Sequence, residues 1–201
     1  GMGNSVVATT GDVHAGYWNP AGLSKIRQSA FRPVFEGSLM HSAYFAGLAN
    51  YDYLGTAIPI EGGVIGVSFL RFGVDDIQNT INLIDPGTGQ LDYSRITKFS
   101  TADYAGIITF AKQTSVEGLS IGANAKIIRR VIGSFASAWG FGLDVGAQYQ
   151  TGNWQFGAVA RDITSTFNAW TYTLDQNTKD VFDSTGNEIP ENNMEVTLPR
   201  F

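Results

Sequence analysis

The segment WGFGLDVGAQY, residues 139–149, alternates between two kinds of residue and constrains the fold more than any other stretch of the chain. Its odd positions are all apolar or aromatic, from Trp139 to Tyr149, and its even positions are glycine, Asp144 and Gln148. A period of two places successive side chains on opposite faces of a β-strand. The segment therefore predicts a strand with one wholly apolar face and one face of glycine and polar groups.

The same two-faced pattern recurs in residues 119–132 and 154–162. Further strands are predicted at 63–73 and 101–113, with three shorter ones between residues 32 and 60, which gives about eight or nine antiparallel strands. Thr151-Gly152 predicts a two-residue hairpin that places Asp144 opposite Val159. The polar stretches 75–97 and 173–197 predict long loops on one rim, opposite the short turns.

The composition of the polar face separates two all-β architectures. A soluble sandwich also alternates, but its water-facing positions usually carry Lys, Glu, Thr and Ser. Here that face is mostly glycine, and only 15 % of the chain is charged against about 25 % in typical soluble domains. Aromatic residues at strand ends (Trp139, Tyr149 and Trp154) are typical of interfacial girdles. The pattern favours an antiparallel up-and-down outer-membrane-type β-barrel; a soluble or surface-attached β-sandwich binding protein stays open.

Several functional classes find no support in the sequence. No uninterrupted apolar stretch of about 18 residues occurs, which excludes a bundle of transmembrane helices. The net charge is -5 without a basic run, which argues against nucleic acid as a partner. The chain has no cysteine, and we predict no catalytic residue and no enzyme activity.

Metal and cofactor sites are likewise not predicted. The two histidines, His14 and His41, are far apart and have no carboxylate at ligand spacing. The acidic residues of the first long loop lack the compact alternation of a calcium loop. Those residues are Asp75, Asp76, Asp85 and Asp92.

Charged residues on the glycine-rich face are predicted to form an inward cluster. The strand pairing brings Lys126, Asp144 and Arg161 together. Asn124, Arg130 and Gln148 are predicted near them. We interpret the group as a lumen salt-bridge network that orders the barrel wall.

The N-terminal stretch GYWNPAGLSKI, residues 16–26, predicts a capped helix start, with Asn19 as N-cap and Pro20 at the first helical position. A compatible hypothesis is that the element wedges in the barrel mouth, with Trp18 packed on the wall, and gates passage. The predicted domains are a plug-like segment at 1–30 and a barrel region at 31–201. The plug element comprises Trp18, Asn19, Pro20, Ala21 and Gly22.

With these features the chain resembles the PorV/PorQ-type bacterial outer-membrane proteins and, more distantly, the FadL-type transporters of hydrophobic compounds. The resemblance covers most of the chain. It is carried by GMGNSVVATTGDVHAGYWNPAGLSKI at 1–26, GVSFLRFGVDDIQNT at 66–80, NAKIIRRVIGSFASAWGFGLDVGAQY at 124–149, FGAVARDITSTF at 156–167 and LPRF at 198–201.

The resemblance implies a barrel of about fourteen strands in the bacterial outer membrane, with the N-terminal segment against the lumen. It also implies a non-enzymatic role in transport or as a component of a secretion system such as type IX. The implied partners are outer-membrane lipid and either secretion-system proteins or a small hydrophobic ligand. An open sheet edge leaves backbone groups unpaired in lipid, so eight or nine strands predict either a piece of a longer barrel, incomplete at its C-terminal side, or a smaller barrel that closes on its own. We favour the first.

Overall fold

The computed structural model describes residues 6–26, 35–85 and 87–200, and these form one antiparallel sheet of nine strands. The strands are β1 (Glu36–Tyr44), β2 (Ala49–Ile60), β3 (Gly63–Asn79), β4 (Thr97–Gln113), β5 (Leu119–Ile132), β6 (Ala136–Thr151), β7 (Trp154–Ala160), β8 (Thr166–Tyr172) and β9 (Asn193–Thr197). Two α-helices, α1 (Ala15–Trp18) and α2 (Gln176–Ser184), accompany short 3-10 turns at Pro20–Lys25, Phe45–Gly47 and Tyr93–Arg95.

Strands β1 to β7 pair consecutively as hairpins, β8 pairs with β6 and β9, and the predicted antiparallel up-and-down order is confirmed. In the described part of the chain the sheet stays open, with β1 at one end and β9 at the other, and it is not closed into a barrel. The number of strands agrees with the expected eight or nine.

The strands β7 and β8 follow one another along the same side of β6. Val145 pairs with Ala160 in β7, whereas Phe141 pairs with Phe167 in β8. Between them the backbone takes left-handed conformations at Asp162 (φ 57) and Ser165 (φ 58). This bulge shifts the register and changes which residues face which side.

Three predicted boundaries were wrong. Residues 36–60 hold two strands instead of three, and residues 32–34 lie outside the described residues. Strand β3 continues to Asn79, through the start of the predicted loop. The hairpin after β6 pairs Thr151 with Trp154, so Val159 faces Gly146 and not Asp144. The turn shifts because Gly152 takes a positive φ of 54° at its first central position.

The long connections lie at one end of the sheet, as predicted. Residues 80–96 and 173–192 lie at the end that also carries the short β5–β6 turn, and the turns after β2, β4 and β6 lie at the opposite end. The predicted second loop also contains α2 and β9. Asp175 caps α2 by accepting from the Thr178 amide at 2.7 Å, and the Thr178 hydrogen bonds lower the pKa of Asp175.

The N-terminal segment, residues 6–26, lies on one face of the sheet and forms the main apolar core with it. Small and branched side chains meet there without a second sheet. The core residues are Val13, Ala15, Leu23 and Ile26 from the segment and Ala57, Val64 and Ala111 from the strands.

Candidate functional site

The two faces of the sheet differ in what covers them. We call the side that bears the N-terminal segment the glycine face, and on β6 it presents Asp144, which is 6 % exposed, and Gln148. We call the other side the apolar face, and on β6 it presents Phe141, which is 60 % exposed. The two faces predicted from the alternation are confirmed, and the apolar one is uncovered among the described residues.

Glycines on three strands let the N-terminal segment lie directly on the sheet backbone. A Cβ added at Gly122 would lie 2.5 Å from the Pro20 carbonyl carbon, and one at Gly157 would lie 2.6 Å from the Val7 oxygen. A Cβ at Gly146 would collide with the Asn19 side chain. The glycine-rich face is therefore required by close approach of another main chain.

The Asn19 side chain makes hydrogen bonds both within the N-terminal segment and to the sheet. Its Oδ1 accepts from the Ala21 amide at 3.1 Å, and its Nδ2 donates to the Val7 oxygen at 2.9 Å and to the Ala147 oxygen at 3.1 Å. The predicted N-cap at Asn19 and the helical first position of Pro20 are confirmed, although the turn is 3-10 and not α-helical. Ala21 and Gly22 are buried in that turn.

Side chains of the sheet also hold the segment by its carbonyl groups. Each of these residues is a hydrogen-bond donor placed on the glycine face, so the segment's main-chain acceptors are satisfied by the sheet. Asn124 donates to the oxygen of Gly16 (2.8 Å), Gln148 to those of Val7 (2.9 Å) and Thr10 (3.0 Å), and Arg161 to those of Tyr17 (3.1 Å) and Trp18 (3.3 Å).

A buried ion cluster lies beneath the segment. Lys126 Nζ is 2.7 Å from Asp144 Oδ1 and 2.6 Å from Asp162 Oδ1. Asp144 also accepts from the Asp162 amide at 2.9 Å and from Asn124 Nδ2 at 3.3 Å. Thr166 donates to Asp162. One ammonium thus bridges two carboxylates in a mostly dry environment, where a charge needs its partners.

The predicted cluster therefore divides. Lys126, Asp144 and Asn124 meet, but Arg161 bonds the N-terminal carbonyls instead of Asp144. Arg130 lies four residues further along β5, with its Nε 4.0 Å from Asp103 Oδ2. Each of these side chains is on the expected face, and distance along the strand separates them.

Asp162 was missed by the sequence reasoning. Unbroken alternation after Trp154 would put residue 162 on the apolar face, with Phe156 and Ala158. The left-handed backbone at Asp162 turns it to the glycine face instead. Aspartate is among the few residues that adopt this conformation readily, so the polar residues Arg161, Asp162, Thr164 and Ser165 were the available signal for a bulge.

An aromatic cavity of about 350 Å³ opens beside the segment, between α1 and the first two strands. His14 stacks on Tyr53 with ring centroids 5.0 Å apart, and its Nε2 lies 3.1 Å from Ser38 Oγ. The cavity has the size and apolar character of a small-ligand pocket. Its lining is His14, Tyr17, Trp18, Met40, Tyr44, Tyr51 and Tyr53.

Acidic residues of the first long loop bind their own neighbours. Asp85 accepts from the Gly87 amide at 2.9 Å and from Thr88 Oγ1 at 3.0 Å, and these bonds lower the pKa of Asp85. Asp92 accepts from the Ser94 side chain and amide, which lowers the pKa of Asp92. In residues 6–26, 35–85 and 87–200 no group of three or more His, Asp or Glu side chains is arranged to hold a metal ion.

No protein-family model, curated protein or solved structure matches this chain. Among the helices described, none has the length and apolar character needed to cross a membrane. The features that bear on function are therefore the covered glycine face, the aromatic cavity and the uncovered apolar face.

Proposed function

We propose that this chain forms part of the wall of a non-enzymatic bacterial outer-membrane β-barrel of PorV/FadL-like type, acting in transport or as a secretion-system component. The observation that carries the proposal is the exposed apolar face, which lies behind a covered face of glycine and polar groups. A soluble domain has the opposite arrangement, with its apolar face buried.

Strand pairing arranges the apolar face in rows that run across the sheet. Three consecutive rows contain no charged side chain, and their one polar residue is Thr56. The first is Leu39, Leu54, Phe69, Gly106, Ile127, Phe141, Phe167 and Val196; the second is Gly37, Thr56, Val67, Ile108, Ala125 and Leu143; the third is Ile58, Ile65, Phe110, Ala123, Val145 and Ala160.

The height of this apolar band fits a bilayer. On β6 itself the apolar face runs from Trp139 to Tyr149, about 33 Å at roughly 3.3 Å per residue, whereas other strands add Arg71 and Arg129 to the Trp139 row and Lys112 to the Ala147 row. A strand tilt of about 40° reduces this to a height of about 25 Å, which is the height of the apolar band of outer-membrane barrels. Trp139 marks one edge, and Tyr149 with Trp154 marks the other. Lipid is accordingly the first proposed partner.

An exposed apolar surface of this size is expected to contact a membrane or a protein partner. Contiguous apolar patches larger than a few hundred Å² mark contact with a membrane or a partner. Lipid also requires every backbone group within the band to be paired. The proposal therefore requires strands outside the described residues to pair with β1 and β9.

The N-terminal segment takes the role of the plug in this proposal. It lies on the face that would line the lumen, and it is held by donors from β5, β6 and the β7–β8 bulge. The aromatic cavity beside Trp18 then provides a place for a small hydrophobic ligand at the edge of the plug. Transport of such a ligand and docking of secretion-system proteins are both compatible with this arrangement.

The alternative is a soluble or surface-attached β-sandwich that binds a ligand in the aromatic cavity. The cavity itself favours this candidate, since it combines aromatic rings with hydroxyl groups. The alternative requires a second sheet over the apolar face, whereas all nine described strands belong to one sheet.

Membrane fractionation tests the proposal. The natural protein that carries this chain is expressed in a Gram-negative host, and its membranes are washed with alkaline carbonate. We expect the protein to stay in the pellet and to need detergent for extraction. Recovery of folded protein in the soluble fraction without detergent would overturn the membrane proposal and favour the sandwich.

A further inference from the structure

A polar row crosses the apolar face at the edge of the band nearest the long loops. On each strand it lies two residues from the first apolar row, on the side of the long loops. We call its first six residues the basic rung. In order across the sheet they are His41, Asp52, Arg71, Tyr104, Arg129 and Trp139.

The two arginines of the basic rung differ in their partners. Arg71 Nη1 is 3.1 Å from Asp52 Oδ2, while the other Asp52 oxygen is 2.6 Å from His41 Nδ1. The Arg129 guanidinium lies over the Trp139 ring, 4.9 Å from its centroid. Among the described residues no carboxylate lies within 4.0 Å of Arg129. The rung therefore carries two guanidinium groups and one carboxylate.

Arg71 points away from the apolar band. A Cβ added at Gly73 would lie 2.8 Å from Arg71 Nη2, so the guanidinium lies over Gly73, toward the long-loop end. Long cationic side chains at a membrane edge take this course because the stem stays on apolar surface while the charge reaches the headgroups. An arginine on the lipid-facing side is strongly unfavourable at the midplane and tolerated near the interface.

We propose that Arg71 and Arg129 bind the phosphate of an anionic lipid headgroup in the leaflet at the long-loop end. This inference rests on the proposed membrane function. Guanidinium groups bind phosphate through paired charge-assisted hydrogen bonds. The two backbone positions are two strand spacings apart, about 10 Å, with Tyr104 between them. A headgroup therefore meets two cations and an interfacial phenol along one row.

Arg130 supplies a matched control. It is adjacent to Arg129 in the chain but lies on the glycine face, near Asp103. Removing either charge changes the net charge equally. Only removal of Arg129 alters the surface that faces lipid, so Arg129→Gln and Arg130→Gln separate a local lipid site from a general charge effect.

The experiment uses the full natural protein, reconstituted in phosphatidylcholine vesicles that contain either brominated phosphatidic acid or brominated phosphatidylcholine. Bromine quenches nearby tryptophan, and Trp139 lies within the site. We expect stronger quenching by the phosphatidic acid at equal content. Selectivity should fall about fivefold for Arg129→Gln, and further for the double variant with Arg71→Gln, because each arginine contributes to headgroup attraction. Arg130→Gln should leave it unchanged.

The outcomes distinguish the two proposals. Carbonate-resistant insertion without phosphatidic acid selectivity, or equal losses for Arg129→Gln and Arg130→Gln, would overturn the headgroup site and leave the membrane function standing. Competition by millimolar inorganic phosphate would assign the cations to free phosphate and overturn the lipid site. Failure of the unmodified protein to insert would overturn both. If the Arg129→Gln protein does not insert, Arg129→Lys is measured in its place. This variant keeps the charge and is expected to lose part of the selectivity for phosphatidic acid.

Discussion

The two faces of β6 contact different surroundings although their residues alternate one by one. Asp144 is 6 % exposed beneath the N-terminal segment, and its neighbour Leu143 is 42 % exposed on the other side. In most soluble sheets the apolar residue would be the buried one. The comparison teaches that alternation identifies two faces, while residue size and the contacts of each face determine which one is covered.

The glycine face packs through main chain and polar groups. Glycine removes the side chains that would hold the segment away, and Asn124, Gln148 and Arg161 satisfy its carbonyls. The apolar face has no such partners and depends on its surroundings.

The largest effect is expected from Lys126→Met on the glycine face. This change leaves Asp144 and Asp162 facing each other without the ammonium that bridges them at 2.7 and 2.6 Å. Breaking a buried ion pair by removing one partner destabilises by about 3–5 kcal/mol. Urea unfolding of the detergent-solubilised protein measures the loss.

Lys98→Met is the matched control for that experiment. Lys98 pairs with Asp76 at 3.0 Å, but both side chains are largely exposed. Exposed pairs contribute about 0–1 kcal/mol. Equal losses for the two variants would contradict a buried, essential bridge at Lys126.

The structure shows how much of this site could be predicted from the sequence. Period-two alternation located β5, β6 and β7 and assigned Lys126 and Asp144 to the same face, because hairpin neighbours with short turns have few possible registers. Asn19 was recognisable as a cap because its amide, followed by proline, suits the first position of a helical turn.

The rest depended on conformations that alternation does not encode. The bulge at Asp162 changes the face of one residue, and Gly152 shifts a turn by one position. The covering of glycines by the segment depends on contacts more than a hundred residues apart, such as that between Asn124 and Gly16. A pattern read within one strand contains no information about such contacts.

An intermediate effect is expected on the apolar face, and its depth dependence identifies the surroundings. Leu143→Arg places a cation in the middle of the band and should oppose membrane assembly by about 2–4 kcal/mol. Tyr149→Arg lies on the same strand and face but at the band edge, where the expected effect is about 0–1 kcal/mol. The yield of carbonate-resistant protein, compared between the two variants, checks this.

The wild-type exposures of Leu143 and Tyr149 are nearly equal, 42 % and 40 %, so a chain in water would tolerate both changes alike. Equal yields would therefore contradict lipid contact on the apolar face. A lower yield for Tyr149→Arg than for Leu143→Arg would contradict the position assigned to the band.

The smallest effect compares glycines on the two faces. Gly146→Ala on the glycine face would press a methyl group against Asn19 and bring it within 2.9 Å of Pro20 Cδ. Overpacking of this kind destabilises by about 1–3 kcal/mol. Gly106→Ala on the apolar face would approach only Ile127 Cγ2, at 3.3 Å, and should be nearly neutral.

Limited proteolysis at residues 6–26 measures the difference directly. Gly146→Ala should expose the segment to cleavage, whereas Gly106→Ala should leave it protected. Equal protection in both variants would mean that the segment can shift away from β6 without being exposed to cleavage. Close approach of the segment would then not explain why this face carries glycines.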